Sequence, residues 1–269
     1  MTLEFGVPLV RLRVDDDRRP RAYFFDTGAT WTALDTAHGG GTGDGGVRLL
    51  GAGGEQTGGF RRLRRIRWGP LTWRDVPAVA APLQKVAALS RGRERRLYRR
   101  LRIAGALGVS PLFAGRRVLL DYETACIVAD PDRRDFAAGR RGKLRCLGRA
   151  PLWSDGGLLM TLAAIGSGRP RPFIVDTGCS GIALFRGPLG VQAPRRRAVR
   201  VGTGTFAREL PRQAFVKIPP VRTPGLMTPV GVLGTPLWAG LRLLLDLRRG
   251  GMEFWGKPNA PSVRSGGGA

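Results

Sequence analysis

The sequence predicts a mostly β fold assembled from two related halves, and three observations carry that prediction. The first is composition: 41 glycines and 20 prolines among 269 residues favour turns and short strands over long helices. The second is an internal repeat. RPRAYFFDTG at 19–28 returns as RPRPFIVDTG at 169–178. The offset of 150 residues holds without a gap through ATWTAL (29–34) and CSGIAL (179–184), and eight of the sixteen positions from Arg19 to Leu34 are identical. A lone DTG triplet is a weak signal, because short polar triplets with Gly are common in turns; two in matched settings mark a duplication. The third observation is that each half opens in the same way, with an apolar strand, a polar turn and a second strand that ends at an aspartate.

Residues 7–14 read as a strand, DDDRRP (15–20) as a turn, and 21–25 as the strand that carries Asp26. The second half repeats this with LLMTLAAI (158–165), GSGRP (166–170), then 171–175 and Asp176. In each copy three apolar residues run straight into the acid, Tyr23-Phe24-Phe25 before Asp26 and Phe173-Ile174-Val175 before Asp176. A Gly then turns the chain. Burying one such carboxylate is costly unless something pairs with it. Two of them, brought together by a pseudo-twofold axis, can share a proton: like charges in contact cannot both ionise, so one is an acid while the other is a base.

Further along, VRLLGAGGEQTGGFRRLRRIRWG (47–69) places a Gly-rich tip, with Gly53 and Gly54, between two half-alternating arms and predicts a mobile hairpin. AVRVGTGTFARELPRQAFVKI (198–218) offers a second hairpin with its tip at Gly202, Thr203 and Gly204. From Asp26 to Gly108 the chain runs 82 residues, against 58 from Asp176 to Gly234. The 24 extra are assigned to a basic helical insertion at about 82–104, where Leu83, Val86, Ala87, Leu97 and Leu101 form an apolar stripe and Arg fills the outer face. The expected division is an N-terminal lobe over 1–130 that contains this insertion, a polar linker over 131–149, a C-terminal lobe over 150–257 and a disordered tail over 258–269.

The formal charge of +25 comes from 41 Arg and only four Lys (Lys85, Lys143, Lys217 and Lys257) against 20 acids. Such a balance can draw acidic substrates, anionic lipid or nucleic acid. The Arg are dispersed over 61–67, 91–102, 133–149 and 195–200, no nucleic-acid motif accompanies them, and a coding bias toward Arg on solvated loops is the favoured reading. Three irregularly spaced cysteines, Cys126, Cys146 and Cys179, are no disulfide framework, although Cys126 and Cys146 could pair across the linker. One histidine, His38, in a Gly-rich run leaves structural zinc and Ser-His or Cys-His catalysis without a set of partners. No segment has the roughly 20 apolar residues of a membrane span. Residues 1–14 alternate like a strand and carry no signal-peptide pattern, so either the protein is cytoplasmic, the favoured reading, or the start is incomplete.

A second repeat completes the pattern. GALGVSPLFAGRRVLLD (105–121) aligns with GVLGTPLWAGLRLLLD (231–246) through one gap. With both DTG copies, and over roughly 5–130 and 150–256, the chain resembles an aspartic protease of the pepsin/retropepsin superfamily, of bacterial type, with two retropepsin-like halves fused in one polypeptide. The resemblance implies a bilobal acid-protease fold of two pseudo-twofold-related, barrel-like β lobes around a central cleft. It implies an aspartic endopeptidase with Asp26 and Asp176 as the catalytic pair, acting on a peptide or protein through an activated water, with no cofactor and no metal. Thr27 and Thr177 would bond across to the opposite loop, while Gly28 and Gly178 would bring amides near the carboxylates. Ala106-Leu107-Gly108 and Val232-Leu233-Gly234 would pack beneath the loops, and the two Gly-rich hairpins would be flaps. Pepsin-like enzymes usually carry Ser or Thr after the Gly; here Ala29 donates nothing and Cys179 only weakly, which implies a mildly acidic to near-neutral working range. Fusion of the halves makes a monomer the expectation. Two other readings stay open: a non-catalytic peptide-binding protein on the same fold, and a basic binder of nucleic acid or anionic surfaces.

Overall fold

In the computed structural model the described residues are 1–4, 6–38, 43–51, 54–83, 100–132, 138–139, 142–186, 198–220, 223 and 225–257. They form a mostly β, bilobal structure with two large sheets, one per half, and a smaller sheet shared between them.

Alternation builds the first sheet. Along Val7–Val14, Leu12 and Val14 turn inward while Arg11 and Arg13 face solvent, the period of two expected of a half-buried strand. This strand pairs antiparallel with Arg21–Asp26, Leu9 opposite Phe24. Arg21–Asp26 lies parallel to Gly105–Gly108, with Phe25 beside Leu107. Gly105–Gly108 runs antiparallel to Thr32–Asp35, which lies parallel to the end of Leu71–Ala81. The long strand Gly54–Trp68 joins Leu71–Ala81 to Asp44–Gly51. It also returns to the first strand through Val14 opposite Ile66, closing the sheet into a barrel.

The second sheet repeats the central pairings. Leu158–Ile165 pairs with Arg171–Val175, which lies parallel to Gly231–Leu233 with Val175 beside Leu233. Ala183 stands opposite Val232 as Ala33 stands opposite Ala106. Ile182–Phe185 lies parallel to Phe215–Ile218 as Thr32–Asp35 does to residues 78–81.

A five-stranded sheet underlies both lobes, in the order Cys126–Ala129, Arg117–Asp121, Arg242–Asp246, Gly251–Gly256, Arg145–Pro151. Its central pair takes one strand from each half, in a register symmetric about Leu119 opposite Leu244. The repeated VLLD and LLLD are therefore the two strands that join the halves. The core is continuous across them, with Phe25, Phe113, Phe173, Phe254 and Trp238 all fully buried.

Two expectations change here. Residues 145–149, read as linker, begin a strand that covers the edge of Gly251–Gly256, since an apolar edge strand ending in Phe254 and Trp255 needs a partner. Cys126 and Cys146 are both free; they lie on opposite edges of the five-stranded sheet, four inter-strand spacings or about 19 Å apart, far beyond disulfide reach. Most of the predicted helical insertion (84–99) and the tail (258–269) lie outside the described residues. The described ends of the insertion, Leu83, Leu101 and Ile103, pack with Leu9, Ala22 and Ala33. Among the described residues no helix is long and apolar enough to cross a membrane.

Candidate active site

Each DTG copy follows a buried strand at the interface between the lobes. Asp26 ends Arg21–Asp26, and Asp176 directly follows Arg171–Val175. Each carboxylate accepts the amide two residues on: Gly28 N–H donates to Asp26 Oδ1 at 2.8 Å, and Gly178 N–H to Asp176 Oδ1 at 2.7 Å. The loops are fastened to one another by their threonines, both fully buried. Thr27 Oγ1 donates to the Val175 carbonyl at 2.7 Å and accepts from the Thr177 amide at 2.9 Å. Thr177 Oγ1 donates to the Phe25 carbonyl at 2.6 Å and accepts from the Thr27 amide at 3.2 Å. Four reciprocal bonds with no water between them fix the spacing of the two loops.

That lock brings the acids together. A Cβ added at Gly28 would sit 2.5 Å from Asp176 Cγ, and one at Gly178 would sit 2.8 Å from Asp26 Cγ. Each glycine thus packs flat on the opposite carboxylate, where any larger residue would displace it. The two carboxyls therefore lie close enough for the charge of one to act on the other. Burial raises Asp26 above the ordinary range, while Asp176 and the Gly28 and Ala29 amides hold it down. Asp176 is raised well above that range by burial and the Asp26 charge, with the Gly178 and Cys179 amides opposing. Both residues keep partial exposure to solvent. A proton held between two carboxyls that water can reach is a general acid beside a general base.

The packing residues lie under the loops. Ala106-Leu107-Gly108 runs beside Phe24, Phe25 and Asp26, and Gly108 N–H donates to Thr32 Oγ1 at 3.3 Å. Val232 and Leu233 run beside Ile174 and Val175, and the Asp176 amide donates to the Leu233 carbonyl at 2.9 Å. Gly108 and Gly234 leave no room for a side chain, since a Cβ would meet the Trp31 carbonyl at one and the Cys179 and Gly181 carbonyls at the other. Ala29 brings no side-chain donor, and the Cys179 thiol is turned to the Gly181 carbonyl at 3.2 Å.

The hairpins differ from expectation in the second half. In the first, Gly51 stands opposite Gly54 across the Gly-rich tip; Gly53 lies outside the described residues. In the second, the tip at Gly202, Thr203 and Gly204 is fastened away from the acids. Thr205 N–H donates to the Arg149 carbonyl at 2.8 Å, and Arg149 N–H to Thr205 Oγ1 at 2.9 Å. Register gives the reason. Ile165 pairs with Val201, and Thr203 with Phe206, as Val14 pairs with Ile66, and Trp68 with Leu71. The hairpin at Gly204 is thus the counterpart of the turn at Gly69-Pro70 and not of the Gly51–Gly54 tip.

Three features near the site went unread in the sequence. Trp31, five residues after Asp26, is 40% exposed and meets Phe60 edge-on at 5.7 Å, which joins the first DTG loop to the Gly-rich hairpin. Asp155 accepts the Leu226 and Met227 amides at 2.9 and 2.8 Å, and so holds the loop that leads to Gly231–Leu233. Arg242 Nε donates to Asp121 Oδ2 at 2.8 Å in a nearly sealed pair between the two halves. The first had a signal in the exposed-aromatic position of ATWTAL; the other two depend on pairings between distant segments.

No curated protein matches the chain. Residues 10–110 match the family model described as aspartyl protease, a retropepsin-like family. The matched span runs from the first strand past Asp26 to the Gly105–Gly108 strand. That match, confined to residues 10–110, supports a likeness to the pepsin/retropepsin superfamily of aspartyl proteases.

Proposed function

We propose that the chain is an aspartic endopeptidase whose catalytic pair is Asp26 and Asp176. The observation that carries this is the close approach of two half-buried carboxyls, from sites 150 residues apart, across loops held by the reciprocal Thr27–Thr177 bonds. One carboxylate takes a proton from a water; the other protonates the scissile carbonyl oxygen as it becomes tetrahedral. The pair titrates as a unit, so the two roles belong to the dyad.

Residues 1–130 and 150–257 act as the two retropepsin-like lobes, and one chain supplies both acids, so a monomer is competent. The hairpin that turns at Gly51–Gly54 is the flap, with Phe60 against Trp31 at its root. Raised carboxyls, with no hydroxyl from residue 29, favour a mildly acidic to near-neutral working range. The test is hydrolysis of an unstructured polypeptide with and without a peptide whose scissile bond is replaced by a hydroxyl-bearing, transition-state-like centre. Cleavage blocked by that compound at a one-to-one ratio is expected; binding of the peptide without cleavage at any pH would make the chain a peptide binder.

A further inference from the structure

Five arginines share the outward face of the first lobe. Arg11 and Arg13 alternate with buried Leu12 and Val14, Arg65 and Arg67 lie on Gly54–Trp68, and Arg74 lies on Leu71–Ala81. Arg13 stands directly opposite Arg67, and Arg65 opposite Arg74. Residues so opposed in an antiparallel pair project from the same face, and like charges there repel. The acids of the turn after the first strand are taken: Asp15, Asp16 and Asp17 pair with Arg61, Arg64 and Arg21. None of the five forms an ion pair among the described residues, and Arg67 Nε is buried with no hydrogen-bond partner.

The second lobe is the internal control. The Asp15 amide donates to the Arg65 carbonyl at 2.8 Å, and the Gly166 amide to the Arg200 carbonyl at 2.8 Å, which fixes the equivalence of positions. The same lattice there holds Leu162, Ala164, Arg200, Gly202 and Glu209. Its opposed pairs are Ala164–Gly202 and Arg200–Glu209, one small and one of opposite charge. The fold therefore does not require two Arg–Arg pairs at these positions.

We propose that this lattice is a docking strip for an acidic segment of the polypeptide substrate, an inference that rests on the peptidase reading. The planar guanidinium fork matches carboxylates two bonds at a time. Among the described residues the large exposed apolar side chains, Trp31, Phe60, Leu162, Val216, Leu226 and Met227, all lie elsewhere. The strip thus offers no ring for a base to stack on and no apolar wedge for a bilayer. The first strand runs antiparallel to the one that ends at Asp26, with Leu12 opposite Arg21, so Arg13 lies at the end remote from the acid, about 20 Å away along the strand. An extended substrate spans that distance with at least about six residues. Because one lobe carries the strip and the other does not, it gives a twofold-related site a direction: the acidic flank is drawn to the side of the first lobe.

The test compares two substrates that differ only in a flank of about six residues, acidic in one and neutral in the other. At low ionic strength the acidic flank should lower KM about tenfold with kcat unchanged. About 0.5 M salt should abolish that gain, as should the combined Arg11→Gln, Arg13→Gln and Arg74→Gln substitutions, all at exposed positions. Equal KM values in the wild type, or a preference that survives the three substitutions, overturns the strip. Loss of duplex DNA or anionic-vesicle binding in that variant, with the acidic preference intact, also overturns it and gives the face to those partners. Fluorescence anisotropy of the labelled acidic flank on the Asp26→Asn protein reads docking without turnover. Flank binding by a chain that cleaves nothing overturns the peptidase reading; cleavage without flank binding overturns the strip.

Discussion

The two lobes agree where they face each other and differ where they face solvent. At the interface each DTG loop makes the same bonds to the other, and each aspartate accepts the same amide. On the outer sheets, the positions occupied by opposed arginines in one lobe hold Ala–Gly and Arg–Glu pairs in the other. The loops before the packing strands are also held differently. Glu4 reaches Arg100 at 3.8 Å in the first lobe, whereas its counterpart Asp155 takes two amides in the second. The joint between lobes therefore preserves the repeat, because any change there must be matched across the axis, while the outer faces are free to specialise.

The joint itself contains one asymmetry, and it offers the largest effect. Arg242 and Asp121 form a buried pair, while their symmetry counterparts, Asp246 and Arg117, turn to local backbone partners instead. Arg242→Ala removes the charge partner of a buried carboxylate, leaving Asp121 only the Glu123 and Thr124 amides, and should cost about 3–5 kcal/mol. Arg117→Ala should cost less than about 1 kcal/mol; denaturant unfolding of both variants measures the gap, and equal losses would show that the pair is not the sealed joint described here.

Next come the threonines. Thr27→Val and Thr177→Val each remove two buried hydrogen bonds and leave an orphaned carbonyl and amide, at about 2–4 kcal/mol. If the lock is symmetric the two losses agree within about 0.5 kcal/mol, and a larger difference would place the strain in one loop.

A smaller effect depends on pH. Both acids are raised in the folded protein, so above the ordinary carboxyl pKa of about 4 the folded state binds more protons than the unfolded one. The stability of the wild type should fall as pH climbs from there toward the raised values. Asp176→Asn removes that loss. It should be more stable than the wild type by on the order of 1 kcal/mol at neutral pH and indistinguishable near pH 3, as thermal melts across pH would reveal; a variant less stable at neutral pH contradicts the shared-proton pair. A further contrast between the lobes is Asp155→Ala, which releases the Leu226 and Met227 amides for about 1–2 kcal/mol, against less than about 0.5 kcal/mol for Glu4→Gln at its exposed partner.

What the sequence disclosed follows from where the information lies. The acids, their threonines and the packing glycines are local patterns, each readable within a few residues and strengthened by being written twice. The hairpin at Gly204 was misread because a Gly-rich tip between alternating arms looks the same in a flap and in the turn at Gly69-Pro70. Only the partner strand, Leu158–Ile165, tells them apart. Residues 145–149 resembled a linker because Arg145 and Arg149 dominate their composition, although Cys146, Leu147 and Gly148 turn toward the sheet. The Arg runs were plain to see, but whether Arg13, Arg65, Arg67 and Arg74 share a face depends on a register between strands some fifty residues apart.

The central claim is that Asp26 and Asp176 share one proton and hydrolyse peptides together. The most direct measurement incubates the wild type and Asp26→Asn with a mixed peptide library across pH and follows cleavage by mass spectrometry. Cleavage by the wild type over mildly acidic to near-neutral pH, reduced by roughly a thousandfold or more in the variant, is the expected result. Equal cleavage by both proteins, or none by the wild type at any pH, would contradict it.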